Sequence, residues 1–445
     1  MSAPGLVLAA PASGTGKTVL AMVLARHFAR QGLRVAPAKV GPDYIDPAFL
    51  SRAAGRPAVN LDPWAMRPGT LAALVGALGA DADLVLVEGV MGLFDGAAAD
   101  GRLDAGSTAD LAAITGWPVV LVVDATGMAA SVGALVAGFA RHRADVTIAG
   151  IVFNRTGSAS HRDLLAAAVA AACPEVEVLG AVPRDATLGL PSRHLGLVQA
   201  AEHADLDGRL DAAAARLGET LDLAALRALA RPARPFAVAE PAPPVAPPGQ
   251  RIALASDIAF AFAYPALIDA WRRDGAEIIP FSPLADEAPD ADADAVFLPG
   301  GYPELHAGRL AAAGTFLAGL RGAAARGATV YGECGGYMVL GRFLVDAEGN
   351  RHAMAGLLAL ETSFAARRLA LGYRQARLTV DGPLGRAGTA FRGHEFHYAT
   401  VTAEGPGTAL FEVADAGGRQ RGAAGLVVGR VAGSFLHLVD RAARE

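Results

Sequence analysis

The most restrictive feature of the chain lies near its start. The apolar run Leu6–Ala10 passes directly into Pro11-Ala-Ser-Gly-Thr-Gly-Lys-Thr18, and helix-forming residues follow from Val19. A strand that turns through a glycine-rich loop into a helix aims successive backbone N–H groups and the positive end of the helix dipole at one point, which makes a cradle for a polyphosphate. The pattern predicts that Ser13, Gly14, Thr15, Gly16 and Lys17 surround the phosphates, that Lys17 reaches the terminal oxygens, and that Thr18 ligates Mg²⁺. Pro11 stands where such loops commonly begin with glycine, while Gly14 and Gly16 keep the room needed for close backbone approach.

Such a loop belongs at the edge of a parallel sheet, and the sequence supplies one. The runs Leu6–Ala10, Val35–Val40, Leu84–Val87, Val119–Val123, Ile148–Phe153 and Val178–Val182 alternate with Ala/Leu-rich helical stretches, the pattern of an α/β fold with helices on both faces. Composition changes at residues 231–250 to little but Pro and Ala, which neither a helix interior nor a strand ladder tolerates. A second α/β pattern begins with Ile252–Ala255, Glu277–Phe281, Ala295–Leu298 and Thr329–Tyr331 and ends in a strand-rich tail. The expected organisation is a P-loop parallel-sheet domain over 1–230, a linker over 231–250 and a second α/β domain over 251–445.

Two further loops follow predicted strands of the first domain. Lys39-Val-Gly-Pro-Asp-Tyr-Ile-Asp46 carries two carboxylates, and Val87-Glu-Gly-Val-Met-Gly-Leu-Phe-Asp-Gly96 offers Glu88 and Asp95 to the same sheet edge, where α/β folds place ligands. Carboxylates there suit Mg²⁺, which takes one or two of them together with phosphate oxygens and water. Lysine occurs only at Lys17 and Lys39 in a chain rich in arginine. A compact ammonium on a flexible stem serves a phosphate oxygen in ways a planar guanidinium does not, so both lysines are functional candidates.

In the second domain the strand Ala328–Tyr331 leads into Gly332-Glu-Cys-Gly-Gly336 and an apolar helix, the form of a nucleophile elbow with cysteine at its apex. The helix N-terminus is expected to favour the Cys334 thiolate, and the Gly335 N–H to face an oxyanion. The Gly300 and Gly301 amides, after strand Ala295–Leu298, are candidates to complete that hole. Cys173, amid Ala and Val, reads as a small buried hydrophobe. Five histidines, His306, His352, His394, His397 and His437, are possible bases; His437, at the end of the apolar run Val431–Leu436, is the one a strand-edge arrangement uses.

Composition narrows the remaining classes. A net charge of −5 with no basic cluster argues against nucleic acid, and the N-terminus reads as strand and loop in place of a positively charged leader. No membrane span is expected, the two cysteines make no disulfide framework, and cytoplasm is the expected compartment.

Together the motifs resemble those of the cobyrinic acid a,c-diamide synthases of the corrinoid pathway, hydrogenobyrinic type included. The resemblance rests on Ser13–Thr18, Lys39–Pro47, Glu88–Gly96, Leu190-Pro-Ser-Arg-His-Leu-Gly-Leu197, Pro299-Gly-Gly-Tyr-Pro-Glu304, Gly332–Gly336 and Arg392-Gly-His-Glu-Phe-His-Tyr398, and covers nearly the whole chain. It implies a dethiobiotin-synthetase-like ATP domain fused to a class I glutaminase that amidates the a and c acetates of a tetrapyrrole through acyl phosphates, with ATP, Mg²⁺ and L-glutamine. Carried over by position, Cys334 forms the glutamyl thioester and His437 activates it. Thr18, Asp43 and Glu88 hold Mg²⁺, while Lys39, Asp43, Tyr44, Asp46 and Asp95 take the substrate; Asn154 and Arg155 lie on the adenine side. Similar glutaminases place a glutamate two residues after the histidine, where this chain has Val439, so the third member is open and Asp440 is the substitute to test. Nickel-sirohydrochlorin a,c-diamide synthases share these motifs; cobyric acid synthases differ in the second loop. P-loop partitioning switches, the non-enzyme alternative, carry an early lysine where this chain has Ala12. A homodimer is the expected assembly.

Overall fold

The computed structural model describes residues 2–99, 101, 103–184, 192–193, 196–203, 205–238 and 242–442. Leu190, Pro191, His194 and Leu195 of the Leu190–Leu197 motif lie outside the described residues. The chain forms two compact units: Met1–Trp64, Pro68–Ala97 and Gly101–Glu240 make the first, and Pro241–Glu445 with Ala65–Arg67 and Ala98–Asp100 the second.

In the first unit, strands β1 (Pro4–Ala9), β2 (Val35–Val40), β3 (Val59–Leu61), β4 (Leu84–Glu88), β5 (Val119–Asp124), β6 (Ile148–Thr156) and β7 (Glu177–Pro183) pair in the order β3-β2-β4-β1-β5-β6-β7. Every pairing along this path is parallel. Strands β2 and β4 are buried along their whole length, which is why they are apolar apart from Lys39 and Glu88 near their C-terminal ends. The order reverses at β1, and the register there gathers the chemistry: Glu88 is the Cα partner of both Lys39 and Leu8, and Asp124 that of Asn154. A ligand crevice at the C-terminal ends of the strands is the expected consequence of such a reversal. Of these seven strands, the three-residue β3 alone has no counterpart among those read from the sequence.

The Pro/Ala-rich stretch is docked at both of its ends. Arg231 and Pro232 pair antiparallel with Gly5 and Pro4 of the first unit, while the Val245 carbonyl accepts the Trp271 indole N–H at 2.8 Å in the second.

The second unit is organised by one ten-stranded sheet. Parallel strands β8 (Arg251–Ala255), β9 (Glu277–Phe281), β10 (Ala295–Leu298) and β11 (Thr329–Glu333) continue, through a late strand, into antiparallel β12 (Ala370–Leu378), β13 (Ala390–His397), β14 (Thr408–Asp415) and β15 (Gln420–Val428). The late strand is β16 (Val431–Ser434), and the chain closes with β17 (Leu436–Arg441). The order is β9-β8-β10-β11-β16-β15-β14-β12-β13-β17. Phe435 alone separates β16 from β17, yet β17 lies at the far end of the order. One residue spans only about 3.5 Å, so the antiparallel half must roll until its last strand returns beside β16. That roll brings His437 to the end of β11. Among the described residues, no helix is long and apolar enough to cross a membrane.

Candidate active sites

The first site is built on the loop after β1. Helix α1 (Lys17–Arg30) begins without a side-chain cap, leaving its first amides directed at the loop. Gly14 and Gly16 hold φ of +78° and +87°, which other residues adopt only with strain. Asn154, at the end of β6, donates from Nδ2 to the Thr15 carbonyl at 2.7 Å and fills the space where a Cβ on Gly16 would lie, 2.3 Å away. Arg155, also at φ > 0, ion-pairs with Asp124, so both residues stand at the strand ends beside the loop.

Lys39 is the hub of the site. Only 2% exposed, it places Nζ 2.7 Å from Asp46 Oδ2, 3.1 Å from Glu88 Oε1 and 3.9 Å from Asp43 Oδ2. Lys17 Nζ lies 3.9 Å from the same Glu88 oxygen, to which the Thr18 hydroxyl donates. Burial pulls Lys39 down, but Asp46 and Glu88 outweigh it and hold the ammonium charged; burial also lowers Lys17, against Glu88. Burial and the neighbouring Asp46 charge push the Asp43 carboxyl up to about 7. Asp43 has a structural task as well: its Oδ1 accepts the Ile45 and Asp46 N–H groups at the head of α2 (Ile45–Ala54). Tyr44 immediately precedes that helix. Asp95 is exposed and accepts the Gly92 N–H at 2.8 Å, closing the turn of its own loop; among the described residues it makes no ion pair.

The residues present fit a divalent cation. Glu88 is fully buried and its Oε2 has no hydrogen-bond partner among the described residues. Leaving a buried carboxylate oxygen unmatched is costly, and a hard cation beside the phosphates resolves it. No three His, Cys, Asp or Glu side chains among the described residues cage a metal unaided. Thr18 and Glu88 offer the small protein contribution that Mg²⁺ takes when phosphate and water complete its shell.

The second site is the turn from β11 into the short helix Gly335–Leu340, with Cys334 at φ +47° and ψ −102°. A non-glycine residue in that region is strained, and the strain is what exposes a nucleophile at an elbow. Flanking glycines permit it: a Cβ on Gly336 would lie 2.0 Å from the Leu298 carbonyl oxygen. A Cβ on Gly300 would lie 2.4 Å from His437 Cε1, 3.2 Å from its Nε2 and 3.4 Å from Cys334 Cβ, so cysteine and imidazole border the same glycine. The Gly301 nitrogen lies 3.0 Å from the Cβ position of Gly335, bringing the expected oxyanion glycines together.

One expectation fails. Burial, followed by the charge of Glu304, pushes the Cys334 thiol well above its ordinary range, with Glu333 and Glu395 adding to the shift and only the Gly335 amide prominent against it. The helix is six residues long, too short for its dipole to offset a buried site ringed by carboxylates. Both effects favour the thiol over the thiolate at Cys334. Cys173 is buried and its thiol raised, as a packing residue's should be.

His437 is 1% exposed. Its Nδ1 lies 3.7 Å from Glu333 Oε2, and its ring stacks on that of His394, its register partner on β13, at 4.9 Å between centroids and 11° between planes. His394 shares a 2.8 Å hydrogen bond with the Tyr264 hydroxyl, and burial, then the nearby His437, keeps it neutral. His352 and His397 are engaged instead by Asp346 and Glu395, at 2.7 and 2.9 Å. Asp440 is engaged by Arg67: its carboxylate accepts the Arg67 backbone N–H at 2.8 Å and the Nε–H at 3.0 Å. The strand is bulged at Val439, where Arg392 pairs with Asp440 and Gly393 with Leu438, and the Arg67 contacts account for the Asp440 carboxylate. Sequence reasoning missed Glu333 and Tyr264, and counted His394 only as one of five possible bases. Glu333 and His394 lay inside motifs already singled out, but nothing in their spacing pointed to His437.

A P-loop sheet with a buried lysine–carboxylate cluster and a cysteine elbow paired with histidine define a glutamine amidotransferase joined to a nucleotide-binding domain. Family models agree: residues 6–198 match the CobQ/CobB/MinD/ParA nucleotide binding domain and 251–444 the CobB/CobQ-like glutamine amidotransferase domain. Curated hydrogenobyrinate a,c-diamide synthases are similar over the whole length. That of Brucella anthropi is 54% identical, covering 98% of each chain; that of Rhizobium meliloti is 52% identical, covering 98% of this chain and 99% of its own. That of Rhodobacter capsulatus is 53% identical over 98% of each. The chain belongs to the hydrogenobyrinate a,c-diamide synthase family.

Proposed function

We propose that the chain converts the a and c acetate carboxylates of hydrogenobyrinic acid to primary amides, using ATP and glutamine. The observation that carries this reading is the occurrence of both half-sites, P-loop cluster and cysteine elbow, in one chain that matches hydrogenobyrinate a,c-diamide synthases end to end. A carboxylate is a poor acyl donor at neutral pH, and transfer of the ATP γ-phosphoryl group to it gives an acyl phosphate that ammonia can attack. Phosphoryl transfer asks mainly for positioning and charge neutralisation. The loop amides of Ser13–Lys17 and the Lys17 ammonium receive the phosphates, Asn154 and Arg155 border the nucleotide, and Lys39 with Asp43, Tyr44, Asp46 and Asp95 orients the substrate carboxylate. Thr18 and Glu88, with Asp43 nearby, would hold Mg²⁺, which when bound neutralises polyphosphate charge.

In the second unit, His437 Nε2 takes the Cys334 proton as sulfur attacks the glutamine side-chain carbonyl. The Gly301 and Gly335 amides, with Gly300 shaping the wall, receive the oxyanion. The carbon–nitrogen bond breaks, His437 returns the proton to the leaving ammonia, and water then hydrolyses the thioester to glutamate. A buried, neutral resting thiol fits this order, because the proton leaves only when glutamine fills the pocket. We place the reaction in the cytoplasm, where ATP and glutamine are available, and take a homodimer as the assembly.

The test is mass spectrometry of hydrogenobyrinic acid incubated with protein, ATP, Mg²⁺ and glutamine, with Cys334→Ser alongside. Two carboxyl-to-amide conversions are expected, lost with glutamine in the variant and regained with ammonium. Conversion of cobyrinic acid or a sirohydrochlorin in its place would reassign the substrate.

A further inference from the structure

The Cys334–His437 pair lacks the carboxylate that similar glutaminases place two residues after the histidine, since Val439 stands there and Asp440 faces Arg67. We infer that Glu333, the residue before the nucleophile, is the positioning carboxylate of this site, holding His437 as the Nδ1–H tautomer so that Nε2 can accept the Cys334 proton. The inference rests on the reading of Cys334 and His437 as the glutaminase pair.

Three features of Glu333 support it. It ends β11, the strand that delivers Cys334, so one segment carries both nucleophile and carboxylate. Its side chain is 6% exposed and its Oε2 lies 3.7 Å from His437 Nδ1, an ion-pair distance that needs only a small rotation to become a hydrogen bond. Its other oxygen, Oε1, is anchored by the Tyr331 hydroxyl at 3.1 Å and the Leu438 backbone N–H at 3.3 Å. Leu438 follows His437 directly, so the carboxylate grips the backbone of the strand whose imidazole it orients.

The groups facing His437 divide the work. Glu333 on β11 addresses Nδ1, and the Cε1 and Nε2 edge meets Gly300 on the side of Cys334. His394 on β13 stacks on the ring face, kept neutral by burial and fixed by Tyr264. Neutral His394 adds no charge, so Glu333 is the anion that meets the imidazolium formed when Cys334 gives up its proton. Glu304 and Glu395 act on the thiol.

Glu333→Gln tests this. The amide keeps the size and can still accept from Tyr331 and Leu438, but it turns an N–H toward Nδ1. That selects the tautomer with the proton on Nε2, which cannot take the thiol proton. Glutamine-dependent kcat should fall about 10²–10⁴-fold, the scale seen when a base loses its orienting carboxylate, while ammonium-dependent amidation, which reports on the other unit, stays near wild type. The acid limb of the residual glutaminase pH profile should move to lower pH, because imidazolium is no longer stabilised. A packing role alone would not move that limb. Tyr331→Phe, which keeps the carboxylate but loosens its hold on Nδ1 by removing one anchor, should give a smaller loss with a smaller displacement in the same direction, and it decides the matter if Glu333→Gln loses both activities through misfolding. Glutaminase kcat within threefold of wild type in Glu333→Gln, or an unmoved acid limb in either folded variant, overturns the inference. Absence of glutamine hydrolysis by the wild-type chain would instead remove the glutaminase reading on which it rests.

Discussion

Replacing Lys39 by methionine is the most direct probe of the first site. The ammonium sits 2.7 Å from Asp46 and 3.1 Å from Glu88 and is only 2% exposed. At an effective dielectric near 20, each contact is worth about 5–6 kcal/mol before desolvation. Desolvation cancels much of this in the intact cluster, but deleting one partner leaves the other charges buried and uncompensated, a loss of about 3–5 kcal/mol. Lys39→Met should therefore lower the urea midpoint of the first unit, followed through its buried Trp64 and Trp117. Burial already holds Glu88 above its ordinary value and losing Lys39 raises it further, while Asp46, which burial raises but Lys39 pulls down, rises with it. Such groups destabilise at pH above the folded pKa and cease to do so below the unfolded one, so the deficit should be largest near neutrality and shrink toward pH 4. Adding Glu88→Gln should recover part of the loss, because it removes a stranded charge. A deficit under about 1 kcal/mol at pH 7, below the range for a broken buried pair, or one that grows on acidification, would refute the reasoning.

Other predictions concern single groups. Gly300→Ala places a Cβ 2.4 Å from His437 Cε1, and should reduce glutamine-dependent turnover about 100-fold with ammonium-dependent amidation retained, measured as paired initial rates. Gly16→Ala combines a φ of +87° with a Cβ 2.3 Å from Asn154 Nδ2; calorimetry should show nucleotide affinity reduced about tenfold or more, a little over 1.4 kcal/mol, while glutamine hydrolysis persists. Because burial and Glu304 raise the Cys334 thiol, its alkylation by iodoacetamide in the resting protein should be slower than that of a free thiol at pH 7–9. It should still be rising where a free thiol has levelled off, as read by peptide mass spectrometry.

Much of the architecture was legible in the sequence because its signals are local. Wholly apolar, β-branched runs such as Val119–Val123 and Leu84–Val87 read as strands buried on both faces, and Gly14 and Gly16 announce a loop that must come close to a ligand. The elbow at Cys334 was equally visible, since the glycines that permit it are its neighbours. What the sequence left open were the pairings that depend on how a sheet is ordered and rolled. Lys39 and Glu88 lie far apart in the chain and meet because β2 and β4 are neighbours in register. The resting state of Cys334 also escaped local reading, because burial and carboxylates from distant segments outweigh a short helix dipole. Above all, Glu333 reaches His437 only because the antiparallel strands curl back and deliver β17 to the end of β11. Sequence spacing offered Asp440 instead, whose carboxylate is taken by Arg67. Adjacency along the chain set the elements and the Cys334 elbow, while long-range register and sheet curvature chose the partners that surround them.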